Sequence, residues 1–445
     1  MNRSYLKTIG ALVIFAALFF TLTHWDQWHK KKKAKSSTPA SQLIVPLKTS
    51  EITSFTLTPR DGRPITCQRV GKNWSIVAPP NIAAGQEKIR NFLQSLTTAT
   101  VSEVVDPHPA SVKDFGLDPA AETIDITSSG KPQKLTVLLG DMTPTGEGLY
   151  AQVAGNPRVV ELPEYAHTSL VQTLFDLRDT HVMTLPADQL QKIQAVAGPD
   201  RYTLTKNPEG VWELDLPPAV RASSYAIETM VDKLRTETMN SIVSEDKKND
   251  APYGFTNPAL RLTLTGPGGT QTVALGKKDG DYYDAMNSAL DPVFTVTQDF
   301  FSQFQKSADD LREKKLWSWE TYDVKHVDIQ TPKDHFVFDK QNGQWKESSP
   351  KSQAVDTGKM QTFLSDLNDL RAESFPQAKP GDFKPFGLDK AGYSIKVTFG
   401  DKNQTETVDL AQQNGNLYAR RSDDVLPSEI SKKTLDSIVK SLGNF

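Results

Sequence analysis

Seven histidines, one cysteine and 54 carboxylates are the side chains that could carry acid–base, nucleophilic or metal chemistry, and their spacing decides between those uses. His24 and His29 flank an apolar stretch. His108, His167, His181, His326 and His335 form no H-x-x-x-H or H-E-x-x-H pair, the spacing that puts two imidazoles on one helix face to hold zinc. Each reads as an incidental histidine. Cys67 lies in an alternating stretch, Ile65 to Val70, with no companion motif, and reads as a buried, idle thiol. A single cysteine also excludes an intrachain disulfide and any multi-cysteine metal site. Asp279, Asp281 and Asp284 lack the D-x-D-G order and the position-12 Glu of a calcium loop, so they read as a hairpin turn. Gly266-Pro267-Gly268-Gly269 has no strand-to-helix setting that would make it a phosphate cradle, and it too reads as a hairpin. The sequence therefore predicts no catalytic residue, no cofactor-binding residue and no metal ligand.

The elements that would position any site are organised as repeats. Trp74, Trp212 and Trp345 each follow a short polar turn and open a strand-like stretch. Behind each comes an apolar i, i+3, i+4, i+7 stripe: Ile89, Phe92, Leu93, Leu96; Ile227, Met230, Val231, Leu234; Met360, Phe363, Leu364, Leu367. An aromatic-Gly turn follows at Gly116, Gly254 and Gly387, each aromatic 41 residues after its tryptophan. Alternating strands then lead to Gly140, Gly276 and Ala411 and on to Tyr150, Tyr283 and Tyr418. Two copies close in helices ending Leu177-Arg178-Asp179 and Leu311-Arg312-Glu313, and the third is expected to stop within that last helix.

A repeat of 133 to 138 residues exceeds a solenoid unit and fits tandem domains with their own cores. Each copy reads as two or three strands, a helix, four strands and a closing helix, an α+β domain with an antiparallel sheet. The division is 1–35 (tail, membrane segment and lysine-rich flank), 36–49 (flexible stalk), and repeats 50–185, 186–318 and 319–445. The tryptophans could be platforms for sugar rings, but their apolar surroundings favour core anchors. The glycines read as backbone needing positive φ.

From Thr8 to Trp25 no residue is charged, and 18 helical residues span about 27 Å, close to the hydrocarbon thickness. This predicts one transmembrane helix that meets membrane lipid, with Trp25 and Trp28 at the headgroups. An uncleaved anchor is favoured over a signal peptide, since no small-x-small cleavage site follows. Lys30 to Lys33 and Lys35 outnumber Arg3 and Lys7, so the positive-inside rule puts the domains in the cytoplasm. Residues 1–35 hold 7 of 51 basic and 1 of 54 acidic residues, leaving 44 against 53, or −9, which argues against nucleic acid as partner.

The strand-opening Trp, the aromatic-Gly-Leu-Asp turn (Phe115 to Asp118, Phe386 to Asp389), the strand ending in Leu-Gly, the following Tyr and the closing Leu-Arg-Asp together resemble a bacterial family described as domain of unknown function 4340. The resemblance covers nearly everything from residue 50 onward. It implies a membrane-anchored, extracytoplasmic protein encoded beside ABC-type transporter components of the gliding-motility or auxiliary class, against the lysine count on sidedness. The function expected is a non-enzymatic accessory or binding protein of the envelope, with a transporter or another envelope protein as partner. The alternative is an envelope polysaccharide- or peptidoglycan-binding protein or hydrolase, whose two carboxylates need not be close in sequence.

Overall fold

The computed structural model describes residues 42–216, 218–246 and 251–445. The expected transmembrane helix and lysine flank lie outside the described residues. Among the described residues no helix is long and apolar enough to cross a membrane. The chain divides into two compact units, residues 1–180 and 181–445.

The first unit holds one sheet of eight strands: β1 (Ile52–Pro59), β2 (Ile65–Val70), β3 (Asn73–Ala78), β4 (Glu103–Asp106), β5 (Glu122–Ser128), β6 (Lys134–Met142), β7 (Gly148–Val153) and β8 (Val159–Pro163). Their spatial order is β3-β2-β1-β5-β6-β7-β8-β4, every neighbouring pair antiparallel. Three strands run outward from the middle of the sheet, helix α1 (Gln86–Thr98) intervenes, the short β4 takes the far edge, and four strands run from the middle out to meet it. Helices α2 (Tyr165–Leu170) and α3 (Leu174–Leu177) close the copy. The apolar stripe of α1 is what the fold buries: Ile89, Phe92, Leu93 and Leu96 share one core with Phe55, Trp74 and Ile124.

The second unit repeats this plan twice. One sheet comprises β9 (Lys192–Ala197), β10 (Asp200–Lys206), β11 (Trp212–Leu214), β12 (Val220–Arg221), β13 (Ser241–Ser244), β14 (Leu260–Gly266), β15 (Gly269–Asp279), β16 (Tyr282–Asn287) and β17 (Val293–Thr297). The other comprises β18 (Val324–Gln330), β19 (His335–Gln341), β20 (Gln344–Ser349), β21 (Gln353–Val355), β22 (Ala372–Ser374), β23 (Tyr393–Phe399), β24 (Gln404–Gln413), β25 (Asn416–Arg421) and β26 (Ser428–Ile430). The orders match the first sheet, with β13 and β22 at the edge that β4 takes there and β12 and β21 added at the other. Helix α4 (Ser224–Thr236) starts where Ser223 Oγ accepts the Ala226 N–H, and α7 (Thr357–Asn368) where Asp356 accepts from Lys359 at 2.9 Å. The class is α+β with antiparallel sheets, as the alternation implied.

Three sequence expectations are corrected. Residues 42–49, expected as part of a flexible stalk, are packed on the first sheet's core, with Ile44, Val45 and Leu47 buried and Leu43 bridged to Thr100. A strand follows each helix (β4, β13, β22), too short at three or four residues to leave an alternation signal. The closing helix of the third copy is not cut short: α8 (Lys432–Leu442) has 11 residues against six in α2 and seven in α5 (Gln298–Phe304). In the first two copies the helix breaks and restarts at a capping box, Thr173 with Asp176 before α3 and Ser307 with Asp310 before α6 (Ala308–Leu311). The third copy has no such box and runs on as one helix, and Phe445 then packs 4.9 Å from Phe338 and 5.6 Å from Phe363.

Gly140 and Gly276 each sit where the register of a strand pair slips by one residue, between Leu139 and Met142 and between Leu275 and Lys278. A Cβ at either would run into the carbonyl oxygen of Phe115 or Tyr253 in the aromatic-Gly turn. In the third copy Ala411 stands opposite Tyr418 in unbroken register. The bulge and the glycine therefore come and go together. Gly276→Ala is expected to cost about 1–3 kcal/mol, read as a lower urea midpoint, whereas Ala411→Gly should cost about 1 kcal/mol or less. Equal costs would mean the turn retreats freely from the strand.

Candidate functional site

The repeated tryptophans share a partner that sequence reading missed. Each stands directly across the ladder from a basic residue, Arg69, Lys206 or Lys340, whose charge lies 5.0, 5.2 or 6.0 Å from the ring centroid. Trp74 and Trp345 are buried core anchors, as expected. Trp212 is not: it is half-buried and borders a cavity of about 560 Å³ with Lys206, Ile227 and Val231. Its strand is the reason, since β11 pairs with β10 over three residues where β3 and β20 pair with their neighbours over five.

Gly116, Gly254 and Gly387 all have positive φ, between 67° and 80°. Tyr150 and Tyr418 meet the turn aromatics Phe115 and Phe386 edge-on at 5.0 Å, while Tyr283 stacks at 4.9 Å on Phe301 of α5 instead. Eight of the nine repeat positions are thus explained by packing or backbone, and Trp212 is the exception.

Cys67 faces Phe55 across the ladder and is buried. The corresponding pairs are Ile193 with Leu204 and Val327 with Phe338. A buried apolar pair fills this core position in each copy, and Cys67 is the smaller member of the first. Burial pushes its thiol up to about 12, so it stays protonated at neutral pH and is a poor nucleophile.

Two histidines make cross-strand contacts on the β18–β19 hairpin: His326 Nδ1 lies 2.8 Å from Asp339 and His335 Nε2 2.9 Å from Asp328. Burial raises the Asp339 carboxyl, but the bonds from His326 and from Ser348 at 2.9 Å outweigh it and hold it below the usual range. Serine and histidine both bond the aspartate, not each other, so no hydroxyl is activated by an imidazole base. Among the described residues no group of three or more His, Cys, Asp or Glu side chains could hold a metal ion.

The chemistry that does converge lies in the 181–445 unit, in a cavity of about 1350 Å³. Its walls are the first turn of α4, the segment from Gln303 to Lys306, the connector Arg312–Glu320 and two arginines of the third copy, Arg371 and Arg421. Seven basic side chains line it against three acidic ones. Arg221 pairs with Asp424 through two contacts of 3.3 Å, the Arg312 guanidinium lies 3.6 Å over the Phe375 ring, and Lys315 reaches Glu320 at 3.8 Å. Lys306, Lys314 and Arg371 have no acidic side chain at ion-pair distance among the described residues.

Arg421 and Glu406 form the base of this site. Arg421 Nη2 lies 3.0 Å from Glu406 Oε1, and Glu406 also accepts the Ser318 N–H at 3.0 Å and its hydroxyl. The second copy does the same job without charge: Gln271 accepts from the Thr184 N–H at 3.3 Å and bonds its hydroxyl, and Asn287 donates to Gln271 at 3.2 Å and to Val182 O at 2.8 Å. These are matching ladder positions, since Asn287 stands opposite Val273 and Arg421 opposite Val408. Each pair pins the chain segment leading into its own sheet. A signal for them existed: Gln271 and Glu406 fall in phase with Val273, Leu275 and with Val408, Leu410, polar residues on the core face of a strand.

A family profile described as Domain of unknown function (DUF4340) matches residues 74–218 and 212–390, each match opening on one of the tryptophans. No curated protein matches the chain in sequence. Among solved structures, a DNA polymerase sliding clamp from Pseudomonas aeruginosa is 7% identical over 87% of this chain and 93% of that one, with a TM-score of 0.15. A DNA polymerase III subunit beta from the same organism is 8% identical over 69% of this chain and 81% of its own, with a TM-score of 0.14. Likeness of that degree carries no argument about fold or function.

Proposed function

The chain belongs to the family described as domain of unknown function 4340, and from that premise we propose that it is a non-enzymatic binding protein of the bacterial envelope, tethered by Thr8–Trp25 and serving a transporter or another envelope component. The observation that carries the binding role is the basic cavity of the 181–445 unit, with unpaired cations at its edge. One of its carboxylates, Asp310, is poorly suited to acid catalysis. Asp310 is held below its ordinary range by the Ser307 hydroxyl, against the pull of burial, and by Lys314 and Lys306. A general acid needs the opposite shift. Envelope placement and the transporter link rest on the apolar segment and on family resemblance. Tandem copies on one tether suit multivalent contact, where effective concentration replaces the affinity of a single site.

Protease accessibility tests the placement. Digestion of the domains in cells with an intact membrane, wall removed if present, is the expected result; digestion only after lysis would put them in the cytoplasm and end the envelope reading. A photo-crosslinker at Tyr225, on the cavity rim and 78% exposed, tests the surface. It should trap an adduct in cells that Arg371→Glu abolishes. An adduct indifferent to that change would remove the cavity from the binding role.

A further inference from the structure

Two departures of the second copy from its siblings fall in one place. Trp212 is half-buried where Trp74 and Trp345 are buried, and Val231 is the one stripe residue that is not buried. Both line the cavity of about 560 Å³. The short pairing of β11 uncovers the ring, and the side chains facing it deepen the space. In the first copy the Gln86 side chain covers the tryptophan strand, accepting the Trp74 N–H at 2.8 Å and donating to Trp74 O at 2.9 Å. The matching position, three residues before the stripe, is Ser224 in α4, too short for that span and part of the cavity wall. Val231 likewise stands where the larger Leu93 and Leu364 do. The charged groups around the ring are unused. Arg69 and Lys340, over the other two tryptophans, donate to the carbonyls of Thr49 and Tyr322. Lys206, its ammonium 5.2 Å from the Trp212 centroid, has no hydrogen-bond or ion-pair partner among the described residues. The side chains of Asp188 and Glu228, exposed at the rim, have none either.

We propose that this cavity binds an uncharged pyranose ring, a free sugar or one residue of a glycan, with its C–H face on Trp212 and its hydroxyls on Asp188, Glu228 and Lys206. An indole offers a broad apolar face, and a pyranose carries C–H groups on its faces and hydroxyls round its edge. The rim sets the ligand class by cost. A purely apolar group would strip water from three unpartnered charges. An anion would meet Asp188, Glu228 and Asp232 against a single lysine, and a cation would have to share the ring with the Lys206 ammonium. Hydroxyls donate to carboxylates and accept from an ammonium, so they satisfy all three groups. The volume lies in the range of a small-ligand site. Neither Trp212 nor these three charged residues line the basic cavity, so either site can fail without the other.

The test is saturation-transfer NMR on the full 445-residue chain in a polyoxyethylene detergent, which has no sugar headgroup, with glucose, maltotetraose, the tetramer of N-acetylglucosamine and choline as probes. Transfer to the ring C–H protons of at least one saccharide is expected, with none to choline. Trp212→Ala should abolish it. Because Trp212 is half-buried, the exposed pair Asp188→Ala/Glu228→Ala supplies a second variant, which should raise the titrated dissociation constant at least fivefold. Tighter binding of a tetrasaccharide than of glucose would support the proposal with a glycan chain as ligand, and equal binding would support it with a free sugar. Transfer to choline in place of the saccharides would overturn it in favour of a cationic ligand. Saccharide binding that survives both variants, or no transfer to any saccharide, would overturn it outright.

Discussion

Glu406→Ala is expected to cost the 181–445 unit about 3 kcal/mol, the low end of the penalty for breaking a buried ion pair, because Arg421 keeps Asp423 as a second carboxylate. The substitution leaves Arg421, whose side chain is nearly buried, with only the half-exposed Asp423 carboxylate 2.6 Å from its Nε, and removes the acceptor for the N–H and hydroxyl of Ser318. Urea unfolding followed by tryptophan emission reads this well, because Trp317 and Trp319 flank Ser318 in the sequence and pack 5.4 Å apart. A sharper form of the test comes from the first copy, which has Leu135 and Val153 at the matching ladder positions. Glu406→Leu combined with Arg421→Val should recover most of the loss, since an apolar pair has no charge to desolvate. A single-variant cost under about 1 kcal/mol, or a double variant as damaged as the single, would show that the pair is not what holds the connector.

The second large effect is a pH dependence in the 1–180 unit. Glu122 is 1% exposed, opposite Pro59 and Leu139, where the other copies have Leu260 and Tyr393. Burial raises its carboxyl to about 7, only partly offset by a backbone hydrogen bond from Gln172, and Oε1 has no partner. In the unfolded chain it would ionise near 4.5. Below that pH it is neutral in both states and its contribution is fully present. As pH rises from 4.5 to 7 the unfolded state releases a proton that the folded state keeps, and stability falls; above 7 the loss levels off. Glu122→Gln should therefore fall below the wild type at pH 4 by the cost of a buried amide N–H, about 1 kcal/mol, and exceed it by about 2–3 kcal/mol at pH 8, at 1.36 kcal/mol per pH unit less that same cost. Parallel stability profiles across that range would show that Glu122 ionises in the folded protein as it does in water.

The helical stripes were readable because their periodicity is local: of the twelve stripe residues only Val231 is less than buried. Positive φ at Gly116, Gly254 and Gly387 was readable for the same reason. The short edge strands were not, because three residues pair with a distant strand without any pattern of their own. Trp212 looked identical to Trp74 and Trp345 from its spacing, and only the length of pairing in β11 sets it apart. The cavity was invisible for a further reason. Its residues lie in connectors and at positions that differ between copies, so the search for triplicated residues looked past Lys314, Arg371 and Arg421.

Those differences between copies have a consequence for how the chain reaches its fold. Three sheets of one topology in a single polypeptide invite a strand emerging from synthesis to join the wrong sheet, the common failure of tandem repeats. The slipped register at Gly140 and Gly276, absent at Ala411, means that β24 laid beside β16 would run out of step by one residue toward the turn. The same misplacement would carry Glu406 into an interior that offers Asn287 in place of Arg421. An exchanged strand is thus penalised twice, once in hydrogen bonding and once in charge. The copies have diverged at the positions that let each strand recognise its own neighbours.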